Sequence, residues 1–192
     1  DDTAFSSSSV AEYAKKLGRM INVVHVPKTI DNDLPLPEGI PTFGFETARA
    51  FATTEIQNLM EDAKTSNNRW YFTIAMGRTA GHLALGMGRS AGAALTIIPE
   101  EFPQDKIRLQ QIVDIITGSI VKRRLIGKNY GVAVIAEGAI EKIAEDDLKE
   151  LGPLALDEHG HIRYAELDFG EILKQKVLAE VARLDFKVTV VD

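Results

Sequence analysis

Short apolar runs alternate with longer segments of helical periodicity along the 192-residue chain. The runs are rich in β-branched residues and lie at 21–26, 70–74, 94–98, 131–136 and 186–191. Their apolar character is nearly continuous, which is typical of strands buried on both faces of a parallel sheet. Apolar residues at three- and four-residue steps predict helices within 45–63, 112–121 and 169–181. This succession predicts an α/β fold, a three-layer sandwich with a mostly parallel sheet between helices.

Charge and composition limit the classes of partner. With 22 Lys and Arg against 28 Asp and Glu, the net charge of −6 gives no electrostatic basis for broad binding of nucleic acid or anionic membranes. The chain has no cysteine, which excludes disulfides and thiolate chemistry. No apolar run approaches the roughly 20 residues of a membrane span, and a signal peptide is not recognisable. We expect a cytoplasmic protein with no nucleic-acid or membrane partner.

The chain opens on two carboxylates without an initiator Met, so its ends are interpreted as cuts within a longer polypeptide. Residues 1–192 are expected to be a single α/β domain or a fragment of a larger two-domain chain. The polar, acidic stretch 141–167 is expected to be a surface excursion of helix and loop.

Polar residues follow the first apolar run, where ligands bind in open α/β sheets. Lys28, Thr29, Asp31 and Asp33 fall within six residues. A carboxylate beside a lysine can act as a general base while the ammonium neutralises charge on a transferring phosphoryl group. The alternative is a solvated turn, since Asn, Asp and Pro are common turn residues.

A second candidate site follows the run at 70–74. Met76, Gly77 and Arg78 precede a predicted helix start, and glycine permits a close backbone approach. Helix amino termini offer free N–H groups to anions, and an arginine adds a bidentate phosphate partner. The alternative is a tight turn with an exposed arginine.

Three other features are ordinary when taken singly. Glu137 and Gly138 end the fourth run, where a carboxylate can accept hydrogen bonds from sugar hydroxyls. Arg69 by itself is interpreted as a surface charge. The stretch 86–91 matches a dinucleotide-binding pattern, G-x-G-x-x-A, but is predicted to lie late in a helix rather than to open one, so that interpretation is rejected.

Taken together and in this order, the motifs resemble those of the phosphofructokinase family. The matching blocks are 27–33, 43–48, 76–78, 98–100 and 136–138, and Asp1-Asp2-Thr3 resembles the tail of the family's Gly-Gly-Asp loop. The resemblance covers most of residues 1–138. It implies a partial, Rossmann-like phosphofructokinase fold and Mg²⁺-dependent phosphoryl transfer to the 1-hydroxyl of fructose 6-phosphate in glycolysis.

The resemblance also implies roles for the first block. Asp31 would be the general base, with Thr29 and Asp33 supporting the substrate and the base, and Lys28 on the phosphoryl oxygens. Asp1 would help to hold Mg²⁺.

The remaining roles concern the sugar phosphate. Met76, Gly77 and Arg78 would line its pocket, and Glu137, followed by Gly138, would contact sugar hydroxyls. Arg69 matches an arginine that reaches the 6-phosphate in a neighbouring subunit's site, so a homo-oligomer, a dimer or a tetramer, is expected.

Asp2 and Lys28 bear on the phosphoryl donor. Family members that use inorganic pyrophosphate carry Asp and Lys at these positions, where ATP-dependent members usually carry Gly. A carboxylate would repel the α-phosphate of ATP, and the ammonium would attract the smaller anion. The resemblance thus favours a reversible pyrophosphate-dependent enzyme, inactive as this piece alone. An ATP-dependent phosphofructokinase and a non-catalytic sugar-phosphate sensor remain the alternatives.

Overall fold

The computed structural model describes residues 2–149 and 167–192. Its elements, in chain order, are α1 (Asp2–Lys16), β1 (Lys28–Thr29), β2 (Phe43–Gly44), α2 (Phe45–Ser66), β3 (Arg69–Ala75), α3 (His82–Ala91), β4 (Leu95–Ile97), a 3₁₀ turn (Pro99–Glu101), α4 (Leu109–Leu125), β5 (Gly131–Ala136), α5 (Gly138–Glu141), α6 (Glu145–Lys149), α7 (Phe169–Arg183) and β6 (Thr189–Val191). Strands β4, β5, β3 and β6 form, in that order, a parallel sheet. The predicted α/β fold is confirmed.

Two apolar cores cover the two faces of this sheet. Alternate residues of a strand point to opposite faces, so Trp70 and Phe72 of β3 pack with α4 and α7 on one side. Tyr71 and Ala75 face the other side, where α2 and α3 pack. Strand β5 is buried along its whole length. The result is the expected sandwich of helices, sheet and helices.

Local signals set the ends of the long helices. Helix α2 follows Gly44, whose φ of 103° lies in the left-handed region, and it ends at Asn67, whose N–H donates to the Lys64 carbonyl at 3.3 Å. Helix α7 begins after Asp168, whose carboxylate accepts from the Glu171 N–H at 3.2 Å. Each predicted helix is present and extends beyond its predicted residues.

The prediction of a strand at 21–26 is wrong, because this segment pairs with no other strand that the structure describes. Val24 and Val26 are 87% and 65% exposed, so their apolar character does not reflect burial within the described residues. Regular pairing starts only at β1, which runs parallel to β2. The run at 186–191 forms a strand only over Thr189–Val191.

Part of the stretch 141–167 is not on the surface. Ile143 and Leu148 are fully buried, and Ile143 bridges to Ile107. The buried carboxylate of Asp147 accepts from the Leu109 N–H at 2.7 Å and pairs with Arg108 at 2.6 Å, which anchors the start of α4. The expectation of a surface excursion is therefore wrong for these residues. Residues 150–166 lie outside the described part of the chain.

No helix in the described ranges combines the length and the apolar character needed to cross a membrane.

Candidate functional site

The carboxyl ends of β3 and β5 meet at one edge of the sheet. Glu137, directly after β5, donates its backbone N–H to the Ala75 carbonyl of β3 at 2.8 Å. This bond sets Glu137 beside the segment that follows β3. These two segments and the loop after β1, residues 30–33, border an open cavity of about 350 Å³. Its lining residues are Lys28, Thr29, Ile30, Asp31, Met76, Gly77, Arg78 and Glu137. Most of the candidate residues taken from separate parts of the sequence are thus brought together here.

A second cavity of about 200 Å³ also borders Asp31. Its lining is more polar and consists of Thr3, Lys28, Thr29, Asp31, Asp33, Leu34 and Arg78. Both cavities share Lys28, Thr29, Asp31 and Arg78. Asp31 therefore borders two cavities, and the same two cationic residues, Lys28 and Arg78, line both.

The surroundings of Asp31 raise the pKa of its carboxyl. Burial is the largest cause, and the negative charges of Asp33 and Glu137 act in the same direction. The positive charge of Arg78 and a hydrogen bond with Thr29 lower the pKa in part. A carboxylate with a raised pKa is a stronger base than an exposed one, as proton abstraction from a hydroxyl requires.

Glycines allow the segment after β3 to turn tightly. Gly77 has a φ of 155°, and an added Cβ would lie 2.5 Å from the Ala80 carbonyl oxygen. Its N–H donates to the Glu137 carboxylate at 3.4 Å. At Gly138 an added Cβ would lie 2.7 Å from the Thr79 carbonyl carbon and 2.8 Å from the Arg78 oxygen. Gly138 thus lets α5 pack directly on the backbone that carries Arg78.

Arg78 itself has a φ of 40°, a conformation that few non-glycine residues adopt. The strain fits a functional position, where such geometry is often found. Its side chain is exposed, available to an anion at the cavity mouth.

Helix α3 begins beside the same loop. The Gly81 N–H donates to the Glu100 carboxylate at 2.8 Å, and His82 Nδ1 lies 2.8 Å from the Asn32 carbonyl oxygen. Because a carbonyl only accepts, Nδ1 of His82 carries the proton. The stretch 86–91 forms the end of α3, as predicted, and so does not open a helix in the way that a dinucleotide-binding motif does.

A larger cavity of about 630 Å³ adjoins the first one through Met76 and Glu137. Its walls are Phe72, Ile74, Met76, Glu137, Ile140, Leu167, Asp168, Phe169, Gly170 and Asp192. It lies at the carboxyl ends of β3, β5 and β6, the position in which open parallel sheets bind ligands.

Arg69 is the candidate that the structure does not place with the others. It opens β3, at the opposite end of the strand from Met76. Arg69 Nη1 lies 2.8 Å from the Asp62 carboxylate and 3.3 Å from the Tyr71 hydroxyl, and Tyr71 also bonds to Asp62. Hydrogen bonds from Tyr71 and Arg69 lower the pKa of Asp62. The guanidinium is held in a fixed position, away from the Asp31 cavities of its own chain.

Two acidic candidates stand at the start of the chain. Asp2 is the first residue of α1, and Asp1 lies outside the described residues. Thr3, the next residue along, lines the 200 Å³ cavity with Asp31.

Sequence reasoning missed Thr42 and Asn32. Thr42 is 2% exposed and bonds to both Thr29 and Asn32. No periodicity or motif spacing marks it, because its partners lie 13 and 10 positions away in an irregular segment. The only local signal is its position just before a predicted helix.

Comparison with known proteins shows which family this chain resembles. Residues 4–191 match the phosphofructokinase family. The chain is 51% identical over 194 aligned positions to a pyrophosphate–fructose 6-phosphate 1-phosphotransferase of Thermotoga maritima, covering 100% of this chain and 45% of the relative. It is 49% identical to one of Naegleria fowleri, covering 98% of this chain and 44% of that relative. The chain thus spans about half the length of these relatives.

The fold has solved counterparts. A pyrophosphate-dependent phosphofructokinase from Marinobacter aquaeolei superimposes with a TM-score of 0.55 over 93% of this chain and 47% of that one, at 18% identity. This likeness concerns the fold alone. The family match and the identity over the whole chain place the sequence more narrowly: this chain belongs to the phosphofructokinase family.

Proposed function

We propose that this chain carries the acceptor half and the catalytic segment of a pyrophosphate-dependent 6-phosphofructokinase. The reaction moves a phosphoryl group from pyrophosphate to the 1-hydroxyl of fructose 6-phosphate and is reversible. One observation carries the proposal: Asp31, Lys28 and Arg78 line the same cavity at the strand ends. The names of the relatives that match this chain from end to end support the choice of substrates.

Asp31 acts as the general base. Its carboxylate takes the proton of the 1-hydroxyl as the hydroxyl oxygen attacks the transferring phosphorus. The bond from that phosphorus to the bridging oxygen of pyrophosphate breaks, and inorganic phosphate leaves. The partial burial and the neighbouring charges that raise the pKa of Asp31 support this role.

Lys28 and Arg78 stabilise the negative charge that spreads over the phosphoryl oxygens. Such transfers depend mainly on positioning and on charge stabilisation. Because the two cations border both cavities around Asp31, they can contact a phosphoryl group on its way from donor to acceptor.

Mg²⁺ is the metal ion that the proposed reaction would use. The described ranges hold no cluster of three acidic or histidine ligands, and Mg²⁺ is usually bound by one or two carboxylates together with substrate phosphates. By the family resemblance, the Asp1 carboxylate would hold it. When bound, Mg²⁺ neutralises charge on the donor phosphates.

Met76, Gly77 and Glu137 bind the sugar. Glu137 offers carboxylate oxygens to sugar hydroxyls, and the exposed Met76 forms an apolar wall between the 350 Å³ and 630 Å³ cavities. Arg69 serves the 6-phosphate of a neighbouring subunit, and its place at the far end of β3 supports a homo-oligomer, a dimer or a tetramer. A phosphorylated, charged substrate is consistent with a cytoplasmic enzyme.

The test is a coupled steady-state assay of the complete polypeptide with fructose 6-phosphate and Mg²⁺, comparing pyrophosphate with ATP. We expect kcat/KM to favour pyrophosphate by about a hundredfold or more, which corresponds to roughly 2.7 kcal/mol of transition-state discrimination. A preference for ATP would overturn the donor assignment and keep the family. Binding of fructose 6-phosphate without turnover by either donor would favour the sensor.

Asp2→Gly sharpens the donor assignment. By removing the carboxylate that repels the α-phosphate of ATP, it should weaken the selection against ATP in the same assay. Glu12→Gln, a charge change at the exposed far end of α1, is the control. Unchanged discrimination in Asp2→Gly would argue against an electrostatic gate at this position.

A further inference from the structure

We propose that Thr42 is a positioning residue for the proposed phosphoryl transfer, holding the loop that carries Asp31 in its reactive place. This inference rests on the proposed function for its catalytic meaning. Thr42 lies just before β2, is 2% exposed, and lines neither cavity around Asp31. Thr42 therefore acts through the loop and does not contact the substrate.

Thr42 is bonded to the loop on both sides of Asp31. Its hydroxyl donates to the Thr29 carbonyl oxygen at 2.6 Å, and its backbone N–H donates to Asn32 Oδ1 at 2.9 Å. A threonine hydroxyl has one proton, so the short bond commits that proton to Thr29. Thr42 thus fixes the residue two positions before Asp31 and the residue immediately after it.

Asn32 needs this support. Its φ of 55° lies in the left-handed region, which asparagine adopts more readily than most residues but still at a cost. Its side chain is held by Thr42 and its carbonyl accepts from His82 Nδ1 at 2.8 Å. The turn that aims Asp31 is therefore held from two separate elements, the segment before α2 and the start of α3.

Apart from the Thr42 bonds, the loop is held by the pairing of β1 with β2 and by Ile30, which packs against the apolar core on the α2 and α3 side of the sheet. Strand β1 is only two residues long, and the Asp31 N–H donates within the loop, to Thr29 Oγ1 at 3.1 Å. The negative charges of Asp33 and Glu137 face Asp31 and raise its pKa, which means that they repel its ionised form. The Thr42 bonds oppose a displacement that this repulsion favours.

Displacement of the general base lowers the reaction rate. A misplacement of about 1 Å at a reacting group can lower the rate about a hundredfold. Because Thr42 touches no substrate, its loss should lower kcat while leaving the affinity for fructose 6-phosphate nearly unchanged.

The experiment compares Thr42→Val and Thr42→Ser in the complete polypeptide. Valine keeps the shape and removes the hydroxyl, and serine keeps the hydroxyl. We expect Thr42→Val to lower kcat about 10- to 100-fold with KM for fructose 6-phosphate within about threefold. Thr42→Ser should restore kcat to within about threefold of the parent. Equal kcat values in the two variants, or a loss confined to KM, would overturn the proposal.

Hydrogen exchange gives a second readout that does not depend on turnover. The amides of residues 28–33 should exchange faster in Thr42→Val than in the parent and in Thr42→Ser, while those of β5 stay unchanged. Uniform exchange across the three proteins would overturn the positioning role. If the parent turns over fructose 6-phosphate with neither donor, the proposed function fails, and exchange alone then decides whether Thr42 orders the loop.

Asn32→Gly removes the other bond, from the Thr42 N–H to Asn32 Oδ1, and tolerates the left-handed φ, so it serves if Thr42→Val does not fold. It should also lower kcat and speed exchange at residues 28–33. Parental values of both would count against the proposal.

Discussion

Two segments meet at Asp31, and they are held in different ways. The segment 76–81 continues directly from β3, whose Trp70, Phe72 and Ala75 are buried. It is fixed by close backbone packing at Gly77 and Gly138. The segment 28–33 begins with the two-residue strand β1, which lies outside the main sheet. It is held by hydrogen bonds with Thr42 and His82 and by the packing of Ile30.

We therefore expect the two segments to have different roles. The segment anchored to the sheet has no room for an added side-chain atom at Gly77, and in the proposed function it would line the sugar-phosphate pocket. The segment held by hydrogen bonds carries Asp31, the proposed general base. Perturbing the first should therefore affect folding and substrate affinity, and perturbing the second should affect the chemical step.

The largest expected effect is at Asp31, the proposed general base. Asp31→Ala in the complete polypeptide should lower kcat about 10²- to 10⁴-fold, the usual contribution of a general base, with little change in affinity for fructose 6-phosphate. Steady-state kinetics measure the first and equilibrium binding the second. Turnover near that of the parent would remove Asp31 from its assigned role.

Asp31→Asn tests how the ionisation of Asp31 affects the stability of the folded protein. The pKa of Asp31 is raised in the folded protein, so its ionised form is less favourable there than in the unfolded chain. Its contribution to stability is present at low pH and is lost as pH rises through the folded-state pKa. Removing the charge should therefore leave Tm at neutral pH unchanged or higher, whereas a fall in Tm would contradict this reading.

The next largest effect concerns the segment 76–81. Gly138→Ala would place a Cβ 2.7 Å from the Thr79 backbone, so the Arg78 segment must move. We expect a loss of about 1–3 kcal/mol in stability and a higher KM for fructose 6-phosphate, measured by denaturant unfolding and steady-state kinetics.

Gly118→Ala is the matched control for Gly138→Ala. Gly118 lies within α4, and an added Cβ there meets nothing within 4 Å. Alanine should stabilise this helix by about 0.5–1 kcal/mol. If both substitutions have the same effect, close packing at Gly138 is not what restricts that position.

The smallest expected effect is a shift in pH dependence. The charge of Asp33 raises the pKa of Asp31, so Asp33→Asn should lower it and move the acid limb of the kcat/KM profile to lower pH. Asp146→Asn, at an exposed position of α6, is the control and should leave the limb in place. A limb that stays fixed or moves to higher pH in Asp33→Asn would show that Asp33 does not act through this charge.

The sequence by itself determined the order of most strands and helices. Runs such as 131–136 are apolar because both faces of the strand they form are covered. The apolar residues of α2 recur at helical spacing because one side of this helix is buried. These patterns reflect local geometry and burial, so they can be read without the fold. The same reasoning failed at 21–26, where apolar residues are exposed and no neighbouring strand pairs with them.

The sequence also held the candidate residues, since Lys28, Asp31, Arg78 and Glu137 each follow a predicted strand. Only the tertiary structure decided that they line one cavity, and that Arg69 stands at the other end of β3. It also assigned Asp147 to the start of α4 and Thr42 to the Asp31 loop. Such contacts join residues far apart in the chain through single hydrogen bonds, which leave no periodic signal in the sequence and exist only once the layers have packed.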